Sequence, residues 1–189
     1  MLEYGKGAYN RTQGNLPQLD VVNMFVEQSA SQGVIMQSRR PLGEVVEVGS
    51  GPVRASQVRD GVFNGDRFTV SGTELYRDTA LLGSIAGGGV VSIAVRAGEV
   101  LIAAGGPLYS YDGIDLIEVT FPDGGYVTRV IYTAGYFVAV EAGTGYLFFS
   151  AVNDGRTWDA LDFFEVESEP DAVYDIVTLD GVLVAGGPN

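Results

Sequence analysis

An all-β fold of repeated antiparallel sheets is predicted by three observations: an excess of glycine, enough apolar residues to bury a core, and a strand-and-turn unit that recurs. Glycine supplies 27 of the 189 residues, roughly twice its ordinary share of about 7%. Each glycine in a helix interior costs about 1 kcal/mol, so a long-helix or coiled-coil protein is excluded. Apolar and aromatic residues make up 46% of the chain and charged residues 19%, a balance that folds rather than staying disordered. The length suits one domain or a small pair.

The elements follow in chain order. Residues 1–14 carry Glu3 and Lys6 and no apolar run of signal-peptide length, so secretion by that route is not supported. Residues 1–52 read as an N-terminal arm with first strands. Val21-Val22-Asn23-Met24-Phe25-Val26-Glu27 is an expected strand. A polar loop follows, then Arg39-Arg40-Pro41-Leu42-Gly43 and the apolar Val45, Val46 and Val48.

From residue 53 to 189 the repeat takes over. Phe63-Asn64-Gly65-Asp66 leads into an apolar strand, Gly72 and Leu75-Tyr76. Ala97-Gly98 leads into Val100-Leu101-Ile102-Ala103-Ala104, Gly105 and Leu108-Tyr109. Ala134-Gly135 leads into Phe137-Val138-Ala139-Val140, Gly143 and Tyr146-Leu147-Phe148. Asp180-Gly181 opens a fourth unit that is incomplete. The turn glycines Gly65, Gly98, Gly135 and Gly181 stand 33, 37 and 46 residues apart. Asn-Gly and Asp-Gly favour hairpins because a type I′ turn needs positive φ at both central residues. The strands after them are apolar without alternation, as expected of strands packed on both faces. Antiparallel units at this spacing predict β-propeller blades, about three and a half of them. A β-sandwich is the alternative. Solenoid repeats are shorter or helical and tolerate this glycine content poorly. The open final unit leads us to expect a truncated chain or one completed by a neighbour. The most apolar stretch, residues 81–95, is too short and glycine-rich to span a bilayer.

Composition narrows the chemistry. No histidine and no cysteine occur, which removes disulfides, thiolate and imidazole metal sites, and Ser-His-Asp or Cys-His catalysis. The best local motif is Ser150 followed by Asn153-Asp154-Gly155-Arg156-Thr157-Trp158. It looks like the Asp-box hairpin of sialidases and other propellers, with Asn153 in the Asp position and Ser150 one residue early. Asn153 is expected to bond turn amides, Gly155 to supply positive φ, and Trp158 to pack on the blade. Its expected role is structural. The carboxylates Asp159, Asp162, Glu165, Glu167, Glu169 and Asp171 invite comparison with glycoside cleavage or calcium binding. Glu165, Glu167 and Glu169 alternate, however, as on the solvated face of a strand. None of Arg59, Arg67, Arg77, Arg96, Arg129 and Arg156 can be assigned to a sialidase arginine clamp. Ala86-Gly87-Gly88-Gly89 lacks the Gly-Lys-Ser/Thr ending of a phosphate loop and reads as a turn between blades. Arg39 and Arg40 read as a solvated basic pair. The aromatic residues are expected in the core. No catalytic residue, metal or cofactor is expected.

In order and spacing, Val22-Asn23-Met24-Phe25, Arg40-Pro41-Leu42-Gly43, Leu75-Tyr76, Leu108-Tyr109, Tyr111-Asp112-Gly113 and the run from Asp159 to Glu167-Ser168-Glu169-Pro170-Asp171 resemble one family. It is that of the packaged-DNA stabilisation proteins, or tail-hub adaptors, of short-tailed phages, over residues 15–187. The resemblance implies a longer β-propeller protein of which this chain is the N-terminal part. It implies a virion structural protein with no catalytic residues, made in the host cytoplasm and assembled in a ring below the portal that closes the DNA channel. Implied partners are other tail and adaptor proteins, a tail needle or spike, and further copies of itself. DNA contact would be unspecific, with no membrane. The net charge of −13 argues against a surface that grips nucleic acid, and suggests an acidic channel wall past which DNA slides. A carbohydrate-binding or sialidase-like propeller, or another ligand-binding propeller, is the alternative.

Overall fold

Turn chemistry and two-sided apolar strands together dictate the sheets seen in a computed structural model, which describes residues 24–29, 33–38, 46–166 and 172–187. The expected strand start at Val21–Asn23, the Arg39–Gly43 turn, and Glu167, Glu169 and Asp171 lie outside the described residues. The chain divides into two units between Val46 and Glu47. In the first, β1 (Met24–Ser29) and β2 (Gly33–Ser38) form an antiparallel hairpin.

The second unit is a run of blades, each an antiparallel meander in sequence order. Blade 1 is β3 (Val53–Gln57), β4 (Phe68–Ser71), β5 (Glu74–Arg77) and β6 (Ala80–Ser84). Blade 2 is β7 (Ser92–Arg96), β8 (Glu99–Ala103), β9 (Tyr109–Tyr111) and β10 (Leu116–Glu118). Blade 3 is β11 (Val127–Thr133), β12 (Tyr136–Glu141), β13 (Tyr146–Ala151) and β14 (Asp154–Glu165). A half-blade of β15 (Asp175–Leu179) and β16 (Val182–Gly186) follows. This is the all-β arrangement of three and a half blades predicted by the repeat. The first strands of successive blades contact one another, β3 with β7, β7 with β11 and β11 with β15, and so form the inner side of the unit.

The turn glycines hold equivalent places, between the first and second strand of each sheet. Ala134 and Gly135 have φ of 50° and 89°, and Asp180 and Gly181 have 49° and 79°, the paired positive values of a type I′ turn. At Gly98 only the glycine is positive. Gly65 differs from the expected two-residue hairpin. Gln57 pairs with Phe68, and the long connection between them contains a 3₁₀ turn, Phe63–Gly65. The connection is pinned by Phe63, whose ring lies 5.2 Å from that of Phe68 and 6.2 Å from that of Tyr111. Ala134, unlike Asp180 at the equivalent position, has no polar side chain suited to this conformation and pays a steric penalty of about 1–2 kcal/mol. Ala134→Asn is expected to raise stability by about 0.5–1 kcal/mol, read by denaturant unfolding; an unchanged midpoint would contradict it.

Each joint between sheets has its own core. Phe68, Val70 and Leu75 of blade 1 meet Val95, Val100, Ile102 and Tyr111 of blade 2. Leu101, Ala103 and Leu108 of blade 2 meet Val130, Phe137, Ala139 and Phe148 of blade 3. Val138, Val140 and Leu147 of blade 3 meet Ile176, with Leu183 and Ala185 packed alongside. Along β8 the odd residues Leu101 and Ala103 serve one joint, and the even residues Val100 and Ile102 serve the other. An unbroken apolar strand is the consequence of period-two geometry with two buried faces.

Candidate functional site

The Asn153–Trp158 segment forms one half of a polar joint between blades 2 and 3. Val152 and Asn153 make a two-residue turn, since Ala151 pairs with Asp154, whereas Ser150 pairs with Trp158. Residues 155–157 are thereby bulged out of the ladder, which turns them toward the neighbouring blade.

The roles within the turn differ from those expected. Asn153, not Gly155, carries positive φ, at 54°. Its amide donates to Gly135 O at 2.8 Å, and its side-chain oxygen accepts from the Tyr132 hydroxyl. Bonding within the turn falls to Asp154. Its Oδ1 accepts from the Arg156 amide at 2.9 Å and its Oδ2 from Thr157 Oγ1 at 2.8 Å. The carboxylate is the better acceptor because its charge strengthens both bonds. Ser150, one residue early, stays in its own sheet: its buried hydroxyl accepts from the Phe137 amide at 3.0 Å and donates to Ala151 O at 2.8 Å. Trp158 Nε1 donates to Gly155 O at 2.7 Å, and its ring lies 5.2 Å from that of Phe121.

Gly155 is glycine because of what it touches. A Cβ there would overlap Leu101 and come within 2.9 Å of Glu99 Oε1. That close approach lets the Gly155 amide donate to Glu99 Oε2 at 3.0 Å. Glu99 is only 3% exposed. It also accepts from Ser110 Oγ at 2.8 Å and from Arg96 Nε at 3.3 Å. Arg156 completes the joint: Nε donates to Ser110 Oγ at 3.1 Å, NH1 pairs with Asp112 at 3.0 Å, and NH2 donates to Asp115 O at 3.3 Å. Glu99 and Ser110 are not singled out by the sequence, and Asp112 enters there only within the Tyr111-Asp112-Gly113 motif. The available signal was Glu99 itself, an acid heading an otherwise apolar strand directly after a turn glycine.

The joint is charged but fully partnered. Among the described residues no buried side-chain nitrogen or oxygen lacks a hydrogen-bond partner. The bonds from the Arg156 amide and Thr157 hold the Asp154 carboxyl below its ordinary value. Asp112 is likewise lowered by the amides of Asp115 and Ile114. A folded-state depression stabilises the fold fully above the unfolded pKa, and the contribution is lost as pH falls through the folded value. Asp154→Asn is therefore expected to melt below the parent at neutral pH, with the gap closing below about pH 4. Melting temperatures measured down to about pH 2 test this; a constant gap would contradict it.

The other sequence candidates do not converge. Asp159, Asp162 and Glu165 are exposed along β14. Among the described residues no three His, Cys, Asp or Glu side chains gather to hold a metal ion. Arg77 and Arg129 pair with Asp66 and Asp175 in separate places, and Arg96 and Arg156, which share the joint, are taken by Glu99 and Asp112, so the four form no common clamp for a substrate carboxylate. A cleft of about 330 Å³ is lined by Pro107 and Glu118 of blade 2 and by Thr120, Phe121 and Tyr126 of the connection that follows it, among others, with Glu118 its one carboxylate. No described helix is long and apolar enough to cross a membrane.

The inner strands of the blades are not themselves acidic. Their charged residues are Arg54, Arg96, Arg129 and Asp175. The arginines are committed to neighbouring blades and turns. Arg54 donates to the carbonyls of Gly72 and Gly89, and Arg129 meets Asp175 of the half-blade at 2.9 Å. Arg59, just past β3, bonds Val95 O and lies over the Tyr132 ring at 5.7 Å. The acidic excess of the sequence therefore lies outside these strands.

Solved structures with a similar course include Hsv2 of Kluyveromyces lactis, at 10% identity and a TM-score of 0.54, covering 90% of this chain and 57% of that one. YCF48 bound to D1 peptide is similar at 13% identity and a TM-score of 0.52, with coverages of 83% and 52%. These likenesses concern the fold, and the chain spans little more than half the length of either structure. Among the curated proteins none matches. The blade repeat and the arginine-stapled inner strands agree with a protein whose blades are built to stay together. A family model described as bacteriophage P22 Gp10, beta-propeller, matches residues 3–189, and the chain belongs to that family of phage structural proteins.

Proposed function

We propose that the protein is a component of the phage tail hub or head–tail connector, which closes the DNA channel after packaging and so stabilises the packaged genome. It does so through protein–protein contacts, as one member of a homo-oligomeric ring that meets other tail and adaptor proteins and a tail needle or spike. The family match over residues 3–189 carries this reading. The joints support it: three apolar cores, with Glu99, Arg129 and Arg156 bridging adjacent sheets, suit a rigid part rather than a moving one. The mechanism is mechanical. A channel is sealed by shape and stiffness, and no bond in a substrate is made or broken.

The decisive experiment is complementation of phage particles. Particles assembled without the gene are expected to package DNA and then lose it, with the full-length gene product restoring retention. Electron microscopy should place the protein below the portal. Particles that retain DNA without it, or a location on the capsid surface, would overturn the proposal.

A further inference from the structure

Two exposed turns on blades 2 and 3 share one design. The pattern Asp-x-aliphatic-Asp occurs at Asp112-Gly113-Ile114-Asp115 and again at Asp159-Ala160-Leu161-Asp162. In the first, Asp112 Oδ1 accepts from the amides of Ile114 and Asp115, both at 2.9 Å. In the second, Asp159 Oδ1 accepts from the Leu161 amide at 2.8 Å. Each is an Asx turn, in which the leading aspartate ties down the chain two residues on. Each lifts its aliphatic residue into solvent: Ile114 and Leu161 are both 83% exposed.

The blade repeat requires neither segment. The matching turn of blade 1 needs only Asp78 and Thr79, since Arg77 pairs with Ala80, whereas Asp112–Asp115 stands between the paired Tyr111 and Leu116. In β14, Trp158 pairs with Ser150 and Phe163 with Phe148, so Asp159–Asp162 bulges opposite Phe149 alone. An acidic bulge guards an edge strand against unwanted pairing, but that task calls for a polar apex and not for leucine. Turn apices, likewise, ordinarily carry glycine or short polar residues in place of isoleucine. Because β10 and β14 are the fourth strands of their sheets, both turns lie on the margin away from the inner strands. Arg156 bonds Asp112 and the Asp115 carbonyl and precedes Leu161 by five residues, at most about 17 Å of strand.

The surroundings are acidic. Asp112 is paired with Arg156, but among the described residues Asp115, Glu118, Asp159, Asp162 and Glu165 enter no ion pair. Such a rim repels nucleic acid and anionic lipid alike. A second copy is a poor match too. Its 11 basic residues are outnumbered by 24 acidic ones, and Arg54, Arg59, Arg77, Arg96, Arg129 and Arg156 are bonded within the chain. What fits is another protein with a face of opposite charge.

We propose that Ile114 and Leu161 are preformed apolar anchors for a single basic protein partner, each entering a pocket rimmed by lysine or arginine. The Asx turns hold the anchors in place before contact, which spares the ordering cost of binding. The flanking carboxylates supply steering and register. That the partner is a virion protein rests on the role proposed above.

The test installs a photo-crosslinking residue, Ile114→p-benzoylphenylalanine or Leu161→p-benzoylphenylalanine, in the full-length gene product of complemented phage particles. Irradiation is expected to link both positions to one other protein, at peptides of net positive charge identified by mass spectrometry. Asp159→Asn combined with Asp162→Asn keeps the turn acceptor and removes the charge. It should lower the yield from position 161, per incorporated chain, by about fivefold or more. Cross-links from neither position, or only to DNA, to acidic peptides or to another copy of the chain, would overturn the proposal. So would an unchanged yield from the asparagine variant. Absence of the chain from the particles would overturn the proposed role itself, and this partner with it.

Discussion

Glu99→Ala is expected to destabilise the protein by about 3–5 kcal/mol, the usual result of removing one member of a buried charged pair. The carboxylate is 3% exposed and accepts from Gly155, Ser110 and Arg96. Its loss strands the buried Gly155 amide, for which the substitution offers no replacement acceptor. Arg96 is partly exposed and regains water, which places the expected cost toward the lower end of that range. For a chain of this size the melting temperature should fall by roughly 6–15 °C. Glu99→Gln keeps the shape and one acceptor but aims an NH2 group at one of the three donors, and should cost about 1.5–3 kcal/mol. The ordering matters as much as the size. If alanine and glutamine cost the same small amount, below about 0.5 kcal/mol, the carboxylate is not what joins blades 2 and 3.

The unequal legibility of this chain follows from which interactions are local. The blade units were readable because a type I′ turn and a two-faced apolar strand are each written within a few residues, as in Ala134-Gly135 and the strand that follows. The family resemblance quoted from those units agrees with the family match. Gly65 misled on turn type because Phe63 is held by Phe68 and Tyr111, contacts that lie outside the turn. At the Asn153–Trp158 turn the roles of Asn153, Asp154 and Gly155 were exchanged for a similar reason. A bulge shifts the register between Ser150 and Ala151, and the constraint on Gly155 comes from Glu99 and Leu101 in another blade. Net charge is the quantity least able to place residues. It is a sum over the chain, whereas the inner strands carry Arg54, Arg96 and Arg129 against Asp175.

Phe137→Ala is expected to cost about 3–5 kcal/mol, the transfer term of a buried phenyl ring plus the cavity left behind. Phe137 is fully buried in the cluster between blades 2 and 3, its ring 5.0 Å from that of Tyr132. Rigid strands on both sides limit how far the space can close, so the cavity term should survive. Phe164→Ala makes the contrast within one sheet. It removes the same group from a position 59% exposed and is expected to change stability by no more than about 0.5 kcal/mol. Paired denaturant titrations of the two variants, compared at equal m-value, separate the readings. Near-equal losses would mean that Phe164 is covered in solution and that β14 does not present the face described for it. A large loss at Phe137 alone would show that packing between consecutive blades, and not aromatic content as such, holds this chain together.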